Sequence, residues 1–148
     1  MANHYQNIVV AVDGSKEAEL AFRKAIDVAK RNVGSTLHIV HVIDTSVSTS
    51  VDLLFENMNK LVKKHGEVLL ENYRTLATEA GVTNVNTVIT HGIPKSILSK
   101  KLTDLVPVDL IICGATGLNA VDRFFIGSIT EAIVRHAKCD VLVVRTPE

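Results

Sequence analysis

Apolar residues recur along this chain in two periods, and the periods alternate. NIVVAV (Asn7 to Val12) is a short β-branched run, the pattern of a strand buried on both faces. Asp13-Gly14-Ser15 breaks it. Ala18, Ala21, Phe22, Ala25 and Ala29 then return at helical spacing, and Gly34 is placed to end that helix. TLHIVHVI (Thr36 to Ile43) predicts a second strand, and Asp44 to Ser50 a loop. A long helical stretch follows. Leu54, Met58, Leu61, Val68, Leu69, Leu76 and Ala80 fit one stripe, with Gly66 as a candidate break and Gly81 as the stop. A third strand covers about Val85 to Thr90. Gly92-Ile93-Pro94 turns the chain, and Pro94 suits the first position of a short helix whose apolar face is Ile97, Leu98 and Leu102. VDLIIC (Val108 to Cys113) predicts a fourth strand. Ile129, Ala132, Ile133 and Ala137 mark a fourth helix, and DVLVVR (Asp140 to Arg145) a fifth strand.

Strands that alternate with helices imply an α/β fold: an open parallel sheet with helices on both faces. Right-handed crossovers leave few ways to wind it. If the sheet winds both ways from the first strand, the order is 3-2-1-4-5. Ligands of such sheets bind at the carboxyl ends of the strands beside the switch point. Here those ends are Val12-Asp13 and Cys113-Gly114.

Composition narrows the reading. The 148 residues suffice for one domain, 1–148, with a real core. Hydrophobic content of 47% with 22% charged residues is that of a globular chain. Lys plus Arg equals Asp plus Glu at 16 each, so charge gives no general case for nucleic acid or an anionic membrane as partner. No apolar run nears the ~18 residues of a spanning helix. MANHYQNIVV lacks the basic and apolar regions of a secretory signal, so the expected location is the cytoplasm. Cys113 and Cys139 are not in C-x-x-C spacing and read as core or near-core residues. The histidines form no H-E-x-x-H pattern or Cys/His cluster, so no metal site is expected.

The stretch GATGLNAVDRFFIGSIT (Gly114 to Thr130) begins where the topology expects a ligand. Glycine lets a backbone approach a phosphate that a Cβ would keep away. Gly127 and Ser128 stand where the fourth helix begins, and the first amides of a helix carry the positive end of its dipole. Ser128 and Thr130 add hydroxyls. The loop is neither a Walker A motif nor G-x-G-x-x-G. A purely structural reading also exists: Ser128 to Glu131 is S-x-x-E, a capping box. Asp13-Gly14-Ser15 reads equally as a turn and helix cap, Val42 as core, and Asp122 with Arg123 as a solvated pair.

Gly114-x2-Gly117-x9-Gly127-Ser128 resembles the ATP-binding pattern G-2x-G-9x-G-[S/T] of the universal stress protein family, in spacing as well as residue type. The likeness extends along nearly the whole chain. NIVVAVDGS resembles the family's opening strand and its Asp, HVID (His41 to Asp44) its second strand end, HGIP (His91 to Pro94) its G-x-P turn and CDVLVVR its closing strand. The resemblance implies a Rossmann-like fold of the adenine nucleotide alpha hydrolase type. It implies that Asp13, with Ala11, Val12 and Ser15, contacts the adenosine part, and that Val42 meets adenine largely through main chain. Gly114, Ala115 and Gly117 would pass under the ribose and phosphates, and Gly127, Ser128, Ile129 and Thr130 would hold the phosphates. ATP would bring Mg2+ or Mn2+ with it, and a homodimer would form through Val141 to Val144. Many members carry Ser-His or Ser-Arg between the first two glycines. Ala115-Thr116 here removes a polar or cationic side chain from that place.

Catalytic patterns are absent from the sequence: no G-x-S-x-G elbow, no evident Ser-His-Asp order and no adjacent carboxylate pair in the loop. Amides, hydroxyls and one arginine make a binding site more than a phosphoryl-transfer site. The expected function is therefore an ATP-binding stress-response or signalling module serving a protein partner that the sequence does not name. A slow ATPase or adenylyl-transfer enzyme and an interaction protein with a vestigial loop stay open as alternatives.

Overall fold

The computed structural model describes residues 4–45, 52–116 and 126–147. The chain runs β1 (Asn7–Ala11), α1 (Lys16–Arg31), β2 (Thr36–Asp44), α2 (Asp52–Glu79) and β3 (Val85–Gly92). A helical segment follows: α3 (Pro94–Ser96), a π-helical turn (Ile97–Lys101) and α4 (Leu102–Leu105). The rest is β4 (Leu110–Gly114), α5 (Ser128–His136) and β5 (Asp140–Val144). All strand pairs are parallel, and the order is β3-β2-β1-β4-β5. Strand–helix alternation and right-handed crossovers leave few orders, and this is the one in which the sheet winds both ways from β1.

The expected two-sided burial holds in β1. Ile8 and Val10 belong to a core with α1, α2 and β2, whereas Val9 belongs to the opposite core with α4, α5 and β4. All three are fully buried. Successive side chains point to opposite faces, so a strand covered on both sides needs apolar residues at every position.

Three strand boundaries fall inside the predicted ranges. β1 stops at Ala11, β4 starts at Leu110 and β5 stops at Val144. At β1 the ladder is incomplete beyond Ala11: Val12 N still donates to Val40 O at 2.9 Å, but no further residue pairs in register. β3 is longer and runs to Gly92, which still pairs with Asp44.

The larger corrections concern α2. Gly66 is not a break: the helix is continuous through it. A Cβ at Gly66 would lie 2.8 Å from Ile89 Cδ1 and 2.9 Å from His41 Cδ2, so this glycine lets the helix approach the sheet. The predicted stripe is also not the buried one. Leu70, Tyr73 and Ala77 are buried with Gly66, whereas Met58, Leu61, Val68 and Leu76 are exposed, Leu61 at 69%. α2 carries apolar residues on two faces, and the sheet takes the one with the smallest residue at the closest approach. Tyr73 then meets Phe22 of α1 edge-on, with ring centroids 4.7 Å apart.

Candidate functional site

β1 and β4 are neighbours whose crossovers leave in opposite directions, and a crevice of about 440 Å³ opens at their carboxyl ends. That size lies within the ~300–1,000 Å³ of small-molecule sites. From β1 and the start of α1 it is lined by Ala11, Val12, Asp13, Ser15 and Ala18. Val42 and Asp44 of β2 form a second wall with Pro94 and Leu98. Cys113, Gly114 and Thr116 supply the β4 side, and Gly127, Ser128, Ile129, Thr130 and Ile133 the α5 side.

Ten of the twelve residues proposed from sequence therefore share one cavity. Ala115 does not line it. Its backbone is structural: Ala115 N donates to Val144 O at 2.9 Å, and Ala115 O accepts from Gly127 N at 2.8 Å. Gly117, Asp122 and Arg123 lie outside the described residues. The sequence reading did not single out Ala18, Pro94, Leu98, Cys113 or Ile133 as site residues. Each looks like ordinary core in sequence, and only the fold turns it toward the crevice.

The local reasons for these positions are specific. Ser15 is the N-cap of α1, and its Oγ accepts from Ala18 N at 3.1 Å. Asp13 Oδ1 accepts from Ser15 N at 2.9 Å, an Asx-type turn that fixes the carboxylate at the strand end. A Cβ at Gly114 would lie 3.1 Å from the Glu17 carbonyl oxygen, so glycine here permits β4 to pass close to the first turn of α1. Its value in this fold is thus partly packing.

The capping-box expectation for α5 fails. Gly127, not Ser128, is the N-cap, and no side chain caps the helix. Glu131 pairs instead with Arg135 at 2.6 Å. The first intrahelical bond runs from Glu131 N to Gly127 O at 2.9 Å. The amides of Ser128, Ile129 and Thr130 precede it and have no helical partner. They stand at the positive end of the α5 dipole, beside the crevice. Gly127 N is committed to Ala115 O and is not among these free donors. The Thr130 hydroxyl, expected to face phosphate, donates to Gly114 O at 2.7 Å and is buried. Ile129, expected on the core face, is exposed at the crevice rim.

β1 and β2 part beside this site. Val12 N donates to Val40 O at 2.9 Å, but Val12 O accepts from His41 Nδ1 at 2.8 Å. A parallel ladder would give Val12 O to Val42 N. The Val42 amide and carbonyl, which point the same way as Val40 O, thus face the crevice with one donor and one acceptor.

Among the described lining residues the carboxylates are Asp13 and Asp44, and there is no lysine or arginine. Burial pushes the Cys113 thiol up to about 11, so Cys113 is a neutral floor. An anion here would rest on backbone donors and the helix terminus. Among the described residues no three His, Cys, Asp or Glu side chains cluster to hold a metal ion, and no helix is long and apolar enough to cross a membrane.

Comparison with known proteins agrees with this architecture. A Staphylococcus haemolyticus relative, named within the universal stress proteins, is 54% identical over 144 residues, covering 97% of this chain and 87% of its own. The solved universal stress protein UspA from Lactobacillus plantarum superposes with a TM-score of 0.85 at 31% identity, over 96% of this chain and 99% of that one. A universal stress protein solved in complex with cAMP gives a TM-score of 0.72 at 26% identity, over 98% and 100% of the two chains. The family description "universal stress protein family" matches residues 4–145, and the chain belongs to that family.

Proposed function

We propose that this universal stress protein binds an adenine nucleotide, ATP with its Mg2+ or Mn2+, and acts as a nucleotide-dependent module in a cytoplasmic stress response. One observation carries the reading. The crevice presents two recognition elements on opposite walls: the unpaired Val42 amide and carbonyl, and the free amides of Ser128, Ile129 and Thr130. An amide and a carbonyl on one peptide edge complement N1 and the N6 amino group of adenine. Helix N-terminal amides suit phosphate. Asp13 lines the same crevice, and its carboxylate suits the hydroxyls of a ribose. A relative crystallised with cAMP uses the same fold for an adenine nucleotide.

The divalent ion would be carried by the phosphates. Asp13 and the exposed Ser128 hydroxyl are the side chains nearest to offering it an oxygen. The described lining supplies no cation for a developing charge, so we expect binding with little turnover. β5 is a sheet edge with half-buried Val141, Leu142, Val143 and Val144, and we propose that a second copy pairs there.

The test begins with freshly purified protein, heat-denatured without added nucleotide, with the released ligand identified by chromatography and mass spectrometry. A magnesium-ATP titration of emptied protein runs alongside. The expected result is ATP released or bound near one per chain, and weakened binding in Gly127→Val, whose extended N-cap backbone tolerates valine. Absence of both release and binding would reject the proposal.

A further inference from the structure

The geometry points to His41 as a positioning residue that keeps the Val42 peptide available to a ligand. This rests on the nucleotide reading above for the identity of the ligand, but not for the backbone arrangement itself.

The argument starts from the ladder. Ala11 pairs with Val40, so His41 is the residue opposite Val12. In a parallel pair Val12 would accept from Val42 N through its carbonyl and donate to Val40 O through its amide. Only the second bond is present, at 2.9 Å. The carbonyl is taken by His41 Nδ1 at 2.8 Å, and since a carbonyl can only accept, Nδ1 carries the proton. An imidazole thus substitutes for a backbone amide. Without it Val12 O would be unsatisfied, and the nearest replacement donor is Val42 N–H, one rung further up. Forming that rung would close the strands and remove the amide from the crevice.

The mid-helix glycine of α2 belongs to the same device. Glycine inside a helix costs roughly 1 kcal/mol against alanine. At Gly66 a Cβ would stand 2.9 Å from His41 Cδ2. Glycine leaves room for the ring on the face of β2 that α2 covers. Gly66 thus gives His41 the space from which its ring reaches Val12 O.

The consequence is base selectivity. Adenine offers an acceptor at N1 and a donor at N6, matching the Val42 amide and carbonyl. Hypoxanthine reverses both. The experiment compares ATP and ITP binding by calorimetry in the parent, His41→Leu, His41→Asn and Gly66→Ala. Hydrogen exchange of the Val42 amide is followed by NMR in the ligand-free proteins. His41→Leu should bind ATP about tenfold more weakly, the effect of one hydrogen bond. Its ATP-over-ITP preference should collapse and its Val42 amide should exchange more slowly than the parent's. His41→Asn, whose amide can donate to Val12 O, should restore the preference and fast exchange. Gly66→Ala should move in the same direction as His41→Leu by a smaller factor. Unchanged preference and unchanged Val42 exchange in His41→Leu would overturn the role of His41. If the parent binds neither nucleotide, the nucleotide reading fails, and Val42 exchange alone still decides the His41 assignment.

Discussion

Thr130→Val isolates one part-buried hydrogen bond. Thr130 is 5% exposed, and its Oγ1 donates to Gly114 O at 2.7 Å. Valine has nearly the same shape and a similar helix propensity, so packing and backbone preference change little. What changes is the carbonyl of half-buried Gly114, left without this donor at the point where β4 meets the crevice. Losing the hydrogen bond and leaving its acceptor unsatisfied costs about 1–3 kcal/mol. For a chain of this length each kcal/mol moves the melting temperature by about 2–4 °C. A central value of about 2 kcal/mol therefore predicts a fall of about 4–8 °C. The assay is thermal unfolding followed by circular dichroism, checked by urea titration with the slope held constant between the proteins. A Thr130→Val protein that melts within about 1 °C of the parent, or above it, would show that the hydroxyl is not holding Gly114 and would return it to the expected role toward phosphate.

Three further outcomes follow from single features. His38 is buried, donates Nε2–H to Asn7 Oδ1 and accepts from Asn86 Nδ2, and burial lowers its pKa from the ordinary 6.5. The unfolded chain then takes up the proton first as pH falls. Stability should be level above about pH 6.5 and decline below it, and His38→Gln should show a shallower decline in urea melts at about pH 7.5 and about pH 5.5. Burial raises both thiols, but Cys113 is buried and Cys139 only half-buried. An aromatic disulfide reagent should titrate one thiol readily in native protein and two in denaturant, with Cys139→Ser removing the fast one; two equally fast native thiols would contradict the burial of Cys113. Val143→Lys places a charge in the middle of β5, the sheet edge proposed to pair with a second copy; if that pairing forms, light scattering should report a dimer for the parent and a monomer for the variant, and a monomeric parent would reject it.

Much of the fold was legible because it depends on local patterns. β-branched runs free of polar residues, such as Ile8 to Val10, can lie only in a strand covered on both faces. Alternation with helices, together with crossover handedness, then leaves few strand orders. The glycine spacing from Gly114 to Ser128 marked the crevice wall, since close backbone approach demands a missing Cβ. α2 was less legible. Its apolar residues occupy two faces, and period alone cannot say which of them meets the sheet. The buried face, Gly66 with Leu70, Tyr73 and Ala77, contains a glycine that reads locally as a breaker. Ser128 to Glu131 has the letters of a capping box, but a cap also requires extended backbone at its first residue, and that backbone belongs to Gly127.

The amino-acid sequence by itself determined the fold class and narrowed the strand order to a few, one of which puts the crevice where it is found, because these follow from periodicity, chirality and chain connectivity. Tertiary structure decided how individual groups are used. Thr130 turns its hydroxyl to Gly114, Gly127 gives its amide to Ala115, and His41 takes the carbonyl of Val12. A hydrogen bond depends on position to within a fraction of an ångström and on which competing partner is nearer. Residues far apart in the chain set those distances, and no local pattern encodes them.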